Sequence, residues 1–467
     1  MTLSHRWGAA SFLKLSLSKL PDLVKGFSIA ELPQTFQDAI VVARKLGCKY
    51  LWIDSLCIIQ DSTDDWLHEA GLMGEVYANS RCNIAATWNS SSDDGLFTKR
   101  NGSEVEGIIV HPKWAGLKSA TFRVVEFGLW ESLVTSAGLN KRAWVVQERL
   151  LAPRVLHFGR TQLAWECHEV DACETYPTSL PVAQQSTETI HKGLDPATDG
   201  KTLQSMGDSE SSPNLHTYHV WNKIVAAYTA GELTVASDKL VALSGLAKKM
   251  QTLLQDDYLA GLWKRTLASD LLWKVNGGKQ ANGRLSTRAA QYRAPTWSWA
   301  ALDGHIMPGR PDVKRILISI EEAATDPVVP GNPLGQLTSG WIRLRGVLLP
   351  GTARLEGSST SQRDKLKVCF AAEKDTTDHR IFPDIQDEIL DGAVVCLIVS
   401  TVNRYSGTLV QGLALICTDA VKARYRRVGL FEGFQTSSGQ DLPIQYSRST
   451  RRIELSKDAE MKTIVLI

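Results

Sequence analysis

No window of this chain reaches 18 uninterrupted apolar residues, so no segment reads as a membrane-spanning helix. The eight cysteines include no CxxC pair, which removes zinc-finger spacing. Charge of one sign is lacking too. Lys and Arg number 52 against 50 Asp and Glu, for a formal net charge of +2, and no basic run is present to track a phosphate backbone. Electrostatics alone therefore gives no nucleic-acid or membrane-surface partner. No GxGxxG or P-loop stands in a strand–turn–helix context, which leaves Rossmann-type and nucleotide-triphosphatase readings unsupported. The opening "MTLSHRWGAASF" has no charged stretch followed by an apolar core, so no signal peptide is expected. No fixed-period repeat stands out.

What is present is an ordinary globular balance, 43% hydrophobic and 22% charged over 467 residues, enough for roughly two to three domains. The cysteines mostly sit inside apolar runs such as "VVCLIV" and "ALICT", as isolated thiols do in a reducing compartment. The expected location is the cytoplasm. Composition divides the chain into an α/β region over 1–168, a polar linker or insertion rich in Ser, Thr, Pro and Gly over 169–215, a helical segment over 216–285, and a β-rich sandwich or barrel over 286–467.

The first 95 residues alternate between strand-like and helix-like patterns. "MTLSH" reads as a short strand ending at Ser4 and His5. "LPQTFQDAIVVARKLG" reads as a helix, with Phe36, Ile40 and Ala43 on one face, Pro33 near its first turn and Gly47 at its end. "YLWID" reads as a second strand. It is followed by a helix with Ser62 as N-cap and Asp65 completing a capping-box variant. "RCNIAAT" is a third strand. Apolar strands separated by amphipathic helices imply a parallel sheet covered on both faces. In such sheets ligands bind at the carboxyl ends of the strands. That rule gathers Ser4, His5 and Trp7 with Asp54 and Ser55 around one crevice, and lets Glu69 on the next helix face it.

The runs "TLSHRWG", "LPQTFQDAIVVARKLGCKYLWIDSLCIIQDSTDDWLHEAGLMGEVYANSRCNIAAT" and "KRAWVVQERLLAPRVLHFG" occur in the order found in the fungal heterokaryon-incompatibility (HET) domain, which this chain resembles. The resemblance extends to about residue 305, through "VWNKIVAAYTAGELTVASDKLVALSGLAKKM" and "APTWSWAALDG". One departure is that the motif begins one residue after Met1, where family members have residues leading into the strand. The family is distantly similar to TIR domains, so the resemblance implies a flavodoxin/TIR-like sheet. Some TIR domains cleave NAD, with a glutamate three residues after a tryptophan on the helix that follows the third strand. "DWLHE" puts Trp66 and Glu69 at that spacing.

By that analogy the chain is a fungal incompatibility or cell-death effector that consumes NAD as substrate and needs no other cofactor or metal. Cleaving the nicotinamide–ribose bond develops an oxocarbenium-like centre that a carboxylate stabilises, here Glu69. Trp66 or Trp7 would stack on a ring, and Ser4, His5 and Arg142 would hold phosphate or ribose oxygens. Each residue also has a plainer reading. Glu69 would pair with Arg44 or Arg81, His5 would be a structural donor, Asp54 would cap a turn, and Glu148 would join an arginine salt-bridge network. Cys57, flanked by apolar residues, reads as inert rather than nucleophilic, and the acids at 61, 64, 65 and 69 read as a solvated helix start rather than a cation site. Two rival functions stand beside the favoured one. One is a small-molecule enzyme of fungal secondary metabolism, which an apolar ligand-sized pocket would favour. The other is a non-catalytic signalling module acting by self-association or through a protein partner.

Overall fold

The computed structural model describes residues 1–8, 12–112, 121–124, 126–181, 184, 192, 213–280, 282–313, 315–356, 365–370, 379–385, 391–404, 407–435, 444–447, 452–455 and 459–467. Most of the polar stretch expected over 169–215 lies outside them. The chain divides into two compact units, one formed by residues 1–207, 231–233 and 242–246, the other by 208–230, 234–241 and 247–467.

The first unit is a five-stranded mixed sheet with helices. Strand β1 (Thr2–Ser4) pairs in parallel with β2 (Asn83–Ala85), and β2 in parallel with β3 (Arg154–Phe158). The sheet then reverses, because β4 (Leu163–Cys167) and β5 (Asp171–Cys173) add as antiparallel strands through short connections. The expectation of a parallel sheet thus holds for three strands and fails for two. A short connection can only join antiparallel neighbours, whereas parallel ones need a crossover.

Helix α1 (Gln34–Lys45) forms as its periodicity predicts, with Phe36, Ala39, Val42 and Ala43 buried along one stripe. Pro33 stands at its N-cap, and Gly47 ends it at φ 68°, a left-handed conformation that glycine adopts without strain. The expected strand "YLWID" is corrected to a single parallel bridge between Trp52 and Thr2. Leu3 donates to the Trp52 carbonyl at 3.0 Å and Trp52 donates to the Met1 carbonyl at 2.8 Å. Asp54 already opens a one-turn helix, Asp54–Cys57, so the backbone leaves the sheet before a ladder can form.

Helix α2 (Thr63–Ala78) begins at Ser62, whose hydroxyl accepts from the Asp65 amide at 3.3 Å. The capping box is not completed as expected, because Asp65 Oδ2 accepts from Ile59 N at 2.7 Å. Its buried stripe is Ala70, Met73, Gly74 and Tyr77. A Cβ on Gly74 would lie 2.8 Å from Gly245 Cα, so the helix sits against backbone there and only glycine fits. Helix α3 (Ala143–Leu151) follows, before Pro153. The core of this layer joins Leu3, Phe36, Ala39, Ile53, Ile84 and Phe158.

The second unit contributes helix α4 (Pro213–Thr229) and an antiparallel β structure. Its strands are β6 (Ser319–Pro327), β7 (Leu337–Glu356), β8 (Lys365–Phe370), β9 (Arg380–Pro383), β10 (Asp391–Arg404), β11 (Gly407–Asp419), β12 (Arg424–Gln435) and β13 (Met461–Leu466). The order β7-β8-β9-β12-β11-β10 returns to β7 through the pairing of Leu348–Arg354 with Asp391–Leu397. Six strands therefore close on themselves, and closure removes the exposed edges an open sheet would leave. Val368, Phe370, Ile381, Cys396, Ile398, Val410, Val428 and Phe431 fill the interior. Of the two expected forms, sandwich or barrel, the pairing gives the barrel.

Candidate functional site

The residues at the carboxyl end of β1 come together as the strand-end rule predicts. Ser4 and His5 are buried at 1% and 2% exposure because β1 runs between the Trp52 bridge and β2. Trp7 Nε1 donates to Asp54 Oδ2 at 3.0 Å, and Asp54 Oδ1 accepts from the Ser55 amide at 2.7 Å. His5 Nδ1 lies 3.8 Å from Asp54 Oδ1, an ion-pair distance rather than a hydrogen bond. Arg142, just before α3, donates from Nη1 to the His5 carbonyl. Phe36 meets the imidazole edge-on, with ring centroids 4.8 Å apart. Five of the sequence candidates thus form one connected set, and Ser4 precedes it in the chain.

Desolvation dominates the imidazole. It pulls the His5 pKa down to about 4, against the raising effect of Asp54 and with a further lowering from Arg142. His5 is accordingly neutral near pH 7. Its Nε2 and the Ser55 hydroxyl are buried without a hydrogen-bond partner among the described residues. Both atoms therefore keep hydrogen-bonding capacity that the described residues leave unused. A neutral ring suits contact with a hydroxyl or carbonyl better than with a phosphate.

Glu69 is half-buried at the margin of the α2 stripe, between Trp66, also half-buried, and the core residue Ala70. It is closer to solvent than an apolar face alone would place it. Its position is nonetheless registered by a neighbour. Desolvation raises the Cys57 thiol pKa, and the charges of Asp54 and Glu69 both add to the effect. Asp54 and Glu69 therefore act on the same thiol, on the Asp54–Cys57 turn. A raised pKa leaves little thiolate, which agrees with an inert Cys57.

Beneath this set lies a buried polar network that sequence reasoning mis-assigned. Glu148 on α3 makes no arginine salt bridge among the described residues. Its carboxylate accepts from the Ser4 hydroxyl and from Tyr77 OH, the latter at 3.1 Å. Asn83 Nδ2 donates to Ser4 Oγ at 2.9 Å, and Thr2 Oγ1 donates to Asn83 Oδ1 at 3.0 Å. Burial pushes the Glu148 pKa up, and Arg142 and the two hydroxyls oppose it. The Ser4 hydroxyl, expected to hold substrate oxygens, is thus engaged by Glu148 and Asn83. The arginine network of this helix belongs to Arg149, which grips Glu166 through two hydrogen bonds of 2.8 and 3.0 Å. Among the described residues no group of three or more His, Cys, Asp or Glu is placed to hold a metal ion. No helix among them is long and apolar enough to cross a membrane.

Residues 1–148 match the family model described as Heterokaryon incompatibility protein (HET). No curated protein and no solved structure matches the chain. The match covers the N-terminal part of the resemblance read from the sequence, and every candidate residue discussed above lies within it.

Proposed function

We propose, starting from a chain whose residues 1–148 form a HET domain, that this protein is an effector of heterokaryon incompatibility that hydrolyses NAD at the nicotinamide–ribose bond. The observation that carries the reading is the convergence of His5, Trp7, Asp54, Ser55 and Arg142 at the carboxyl end of β1. The sheet order supports a TIR-like reading. Counting the Trp52 bridge as a second strand, the parallel neighbours run second, first, third, fourth, the doubly wound order. Its switch point lies beside β1, where this cluster sits.

In this reading the glycosidic bond breaks heterolytically, and its electron pair leaves with the nicotinamide nitrogen, quenching the cation there. Water adds to the ribosyl carbon and releases one proton, giving ADP-ribose and nicotinamide. Glu69 stabilises the developing positive charge and takes that proton. Trp7 and Ser55 N hold the Asp54 carboxylate in place, and Asp54 orients a ribose hydroxyl. His5 Nε2 and Ser55 Oγ supply the neutral hydrogen bonds they now lack. Arg142 has guanidinium donors beyond the one spent on the His5 carbonyl, and these face the diphosphate. Trp66 stacks on a ring. NAD is substrate, and the setting is the cytoplasm.

Expression in a fungal host tests this in the cell. Wild type is expected to lower total NAD and arrest growth, and Glu69→Ala to do neither at equal abundance. Arrest with unchanged NAD would remove the chemistry from the proposal.

A further inference from the structure

The second unit carries a cavity of about 860 Å³ whose lining is cationic and aromatic. Arg343, Lys422, Arg424 and Arg426 line it together with Trp341, no aspartate or glutamate side chain does among the described residues, and Ile467, whose main-chain oxygen accepts from Thr296, lines it too. The register explains how so much charge of one sign gathers. Strand β13 pairs antiparallel with β7 and parallel with β12, and Val465 is the partner of both Arg343 and Arg424. Residues paired across adjacent strands point to the same face, so the two arginines flank Val465 with Cα atoms about 10 Å apart. Trp341 lies two residues before Arg343 and Arg426 two residues after Arg424, again on that face. The residue between Trp341 and Arg343, Ile342, is fully buried behind them.

The side chains of Lys422 and Arg424 have no carboxylate within ion-pair distance among the described residues, whereas Arg293 and Arg343 do. Arg293 is satisfied by Asp303 at 2.9 Å and by two carbonyls, and Arg343 pairs with exposed Glu322 at 2.9 Å. An exposed pair of that kind is worth little and yields readily to a multivalent anion. The Arg343 guanidinium lies 5.3 Å from the Trp341 ring centroid, so cation and ring form one ledge. Like charges set side by side on a sheet face repel, and a bound anion relieves them. A cavity of this size is within the range of small-molecule sites.

We propose that this cavity binds a ligand of the nucleoside diphosphate class. Its diphosphate lies between Arg343 and Arg424 with Lys422 and Arg426 in reach, and its ring lies on Trp341. The site is distinct from the cluster at β1 and does not depend on the chemistry proposed there.

Calorimetric titration of the full chain with ADP, pyrophosphate and adenosine tests this at low and high salt. ADP is expected to bind wild type, with an affinity that falls as salt rises. Arg424→Glu, on the exposed sheet face, should fold as wild type does by thermal melt and weaken ADP by about tenfold or more. Trp341→Ala should weaken ADP and leave pyrophosphate unchanged. No heat from ADP or pyrophosphate with folded wild type would overturn the site. So would ADP binding that Arg424→Glu leaves intact. Equal affinity for ADP and pyrophosphate would overturn the role of the ring.

Discussion

Arg427→Met is expected to lower the stability of the second unit by about 3–5 kcal/mol, the range seen when one partner of a buried ion pair is removed. Arg427 is fully buried. Its Nε and Nη2 donate to the two oxygens of Asp384, both at 3.1 Å. Nη1 and Nη2 also donate to the carbonyls of Leu271 and Trp273, each at 2.6 Å. The guanidinium lies 3.3 Å from the Trp273 ring centroid. One side chain therefore fastens the loop at 271–273 to strand β12. Burial pulls the Arg427 pKa down and Asp384 pulls it up, while Arg288, 3.6 Å from Asp384 Oδ2, lowers it further. Methionine would leave a carboxylate and two carbonyls buried short of donors. Urea unfolding measures the loss. Adding Asp384→Leu to Arg427→Met should recover part of it, because it removes a buried carboxylate that Arg288 alone, at 3.6 Å, would then face. A loss under about 1 kcal/mol for the single variant would contradict this account.

The second large effect is on pH dependence. The His5 pKa falls from an ordinary 6.5 to about 4 on folding. Its folded pKa is depressed, so its contribution to stability is complete above about pH 6.5. It is lost as pH falls toward 4, where the unfolded chain takes up a proton that the folded chain refuses. A shift of that size corresponds to about 3 kcal/mol. Other groups titrate in the same window, and burial lowers the His157 pKa in the same sense. The informative quantity is therefore the difference between wild type and His5→Asn. That difference should shrink by about 3 kcal/mol between pH 7 and pH 4. A constant difference across the window would mean that His5 takes up its proton in the folded protein as readily as in the unfolded chain, which would contradict a desolvated imidazole.

Helix α1 was legible because its apolar residues recur at helical spacing between two strong punctuators, Pro33 and Gly47. Strands β1 and β2 were legible as short apolar runs. "YLWID" carries the same signal, yet only Trp52 pairs, since composition reports burial and not where the backbone bonds go. "QLAWEC" alternates as a strand should, but alternation is silent on direction, and β4 lies antiparallel. Closure of the barrel depends on β7 meeting β10, a pairing of register that no local pattern encodes.

At the site, positional reasoning gathered His5, Trp7, Asp54 and Ser55, because strand ends are close in space in any such sheet. Glu148 escaped it. Its partners Ser4 and Tyr77 lie 144 and 71 residues away, and "QER" on a helix reads first as a solvated ion pair. Gln147 and Glu148 are both buried, against the usual exposure of such residues, and only the packing of α3 reveals it.

The measurement that bears most directly on the proposed chemistry is nicotinamide release from NAD⁺ by the purified full chain at high concentration, with Glu69→Ala beside it. The account predicts release by wild type and none by the variant, with both samples folded by thermal melt. No release from folded, concentrated wild type would contradict it, as would equal release from the two proteins.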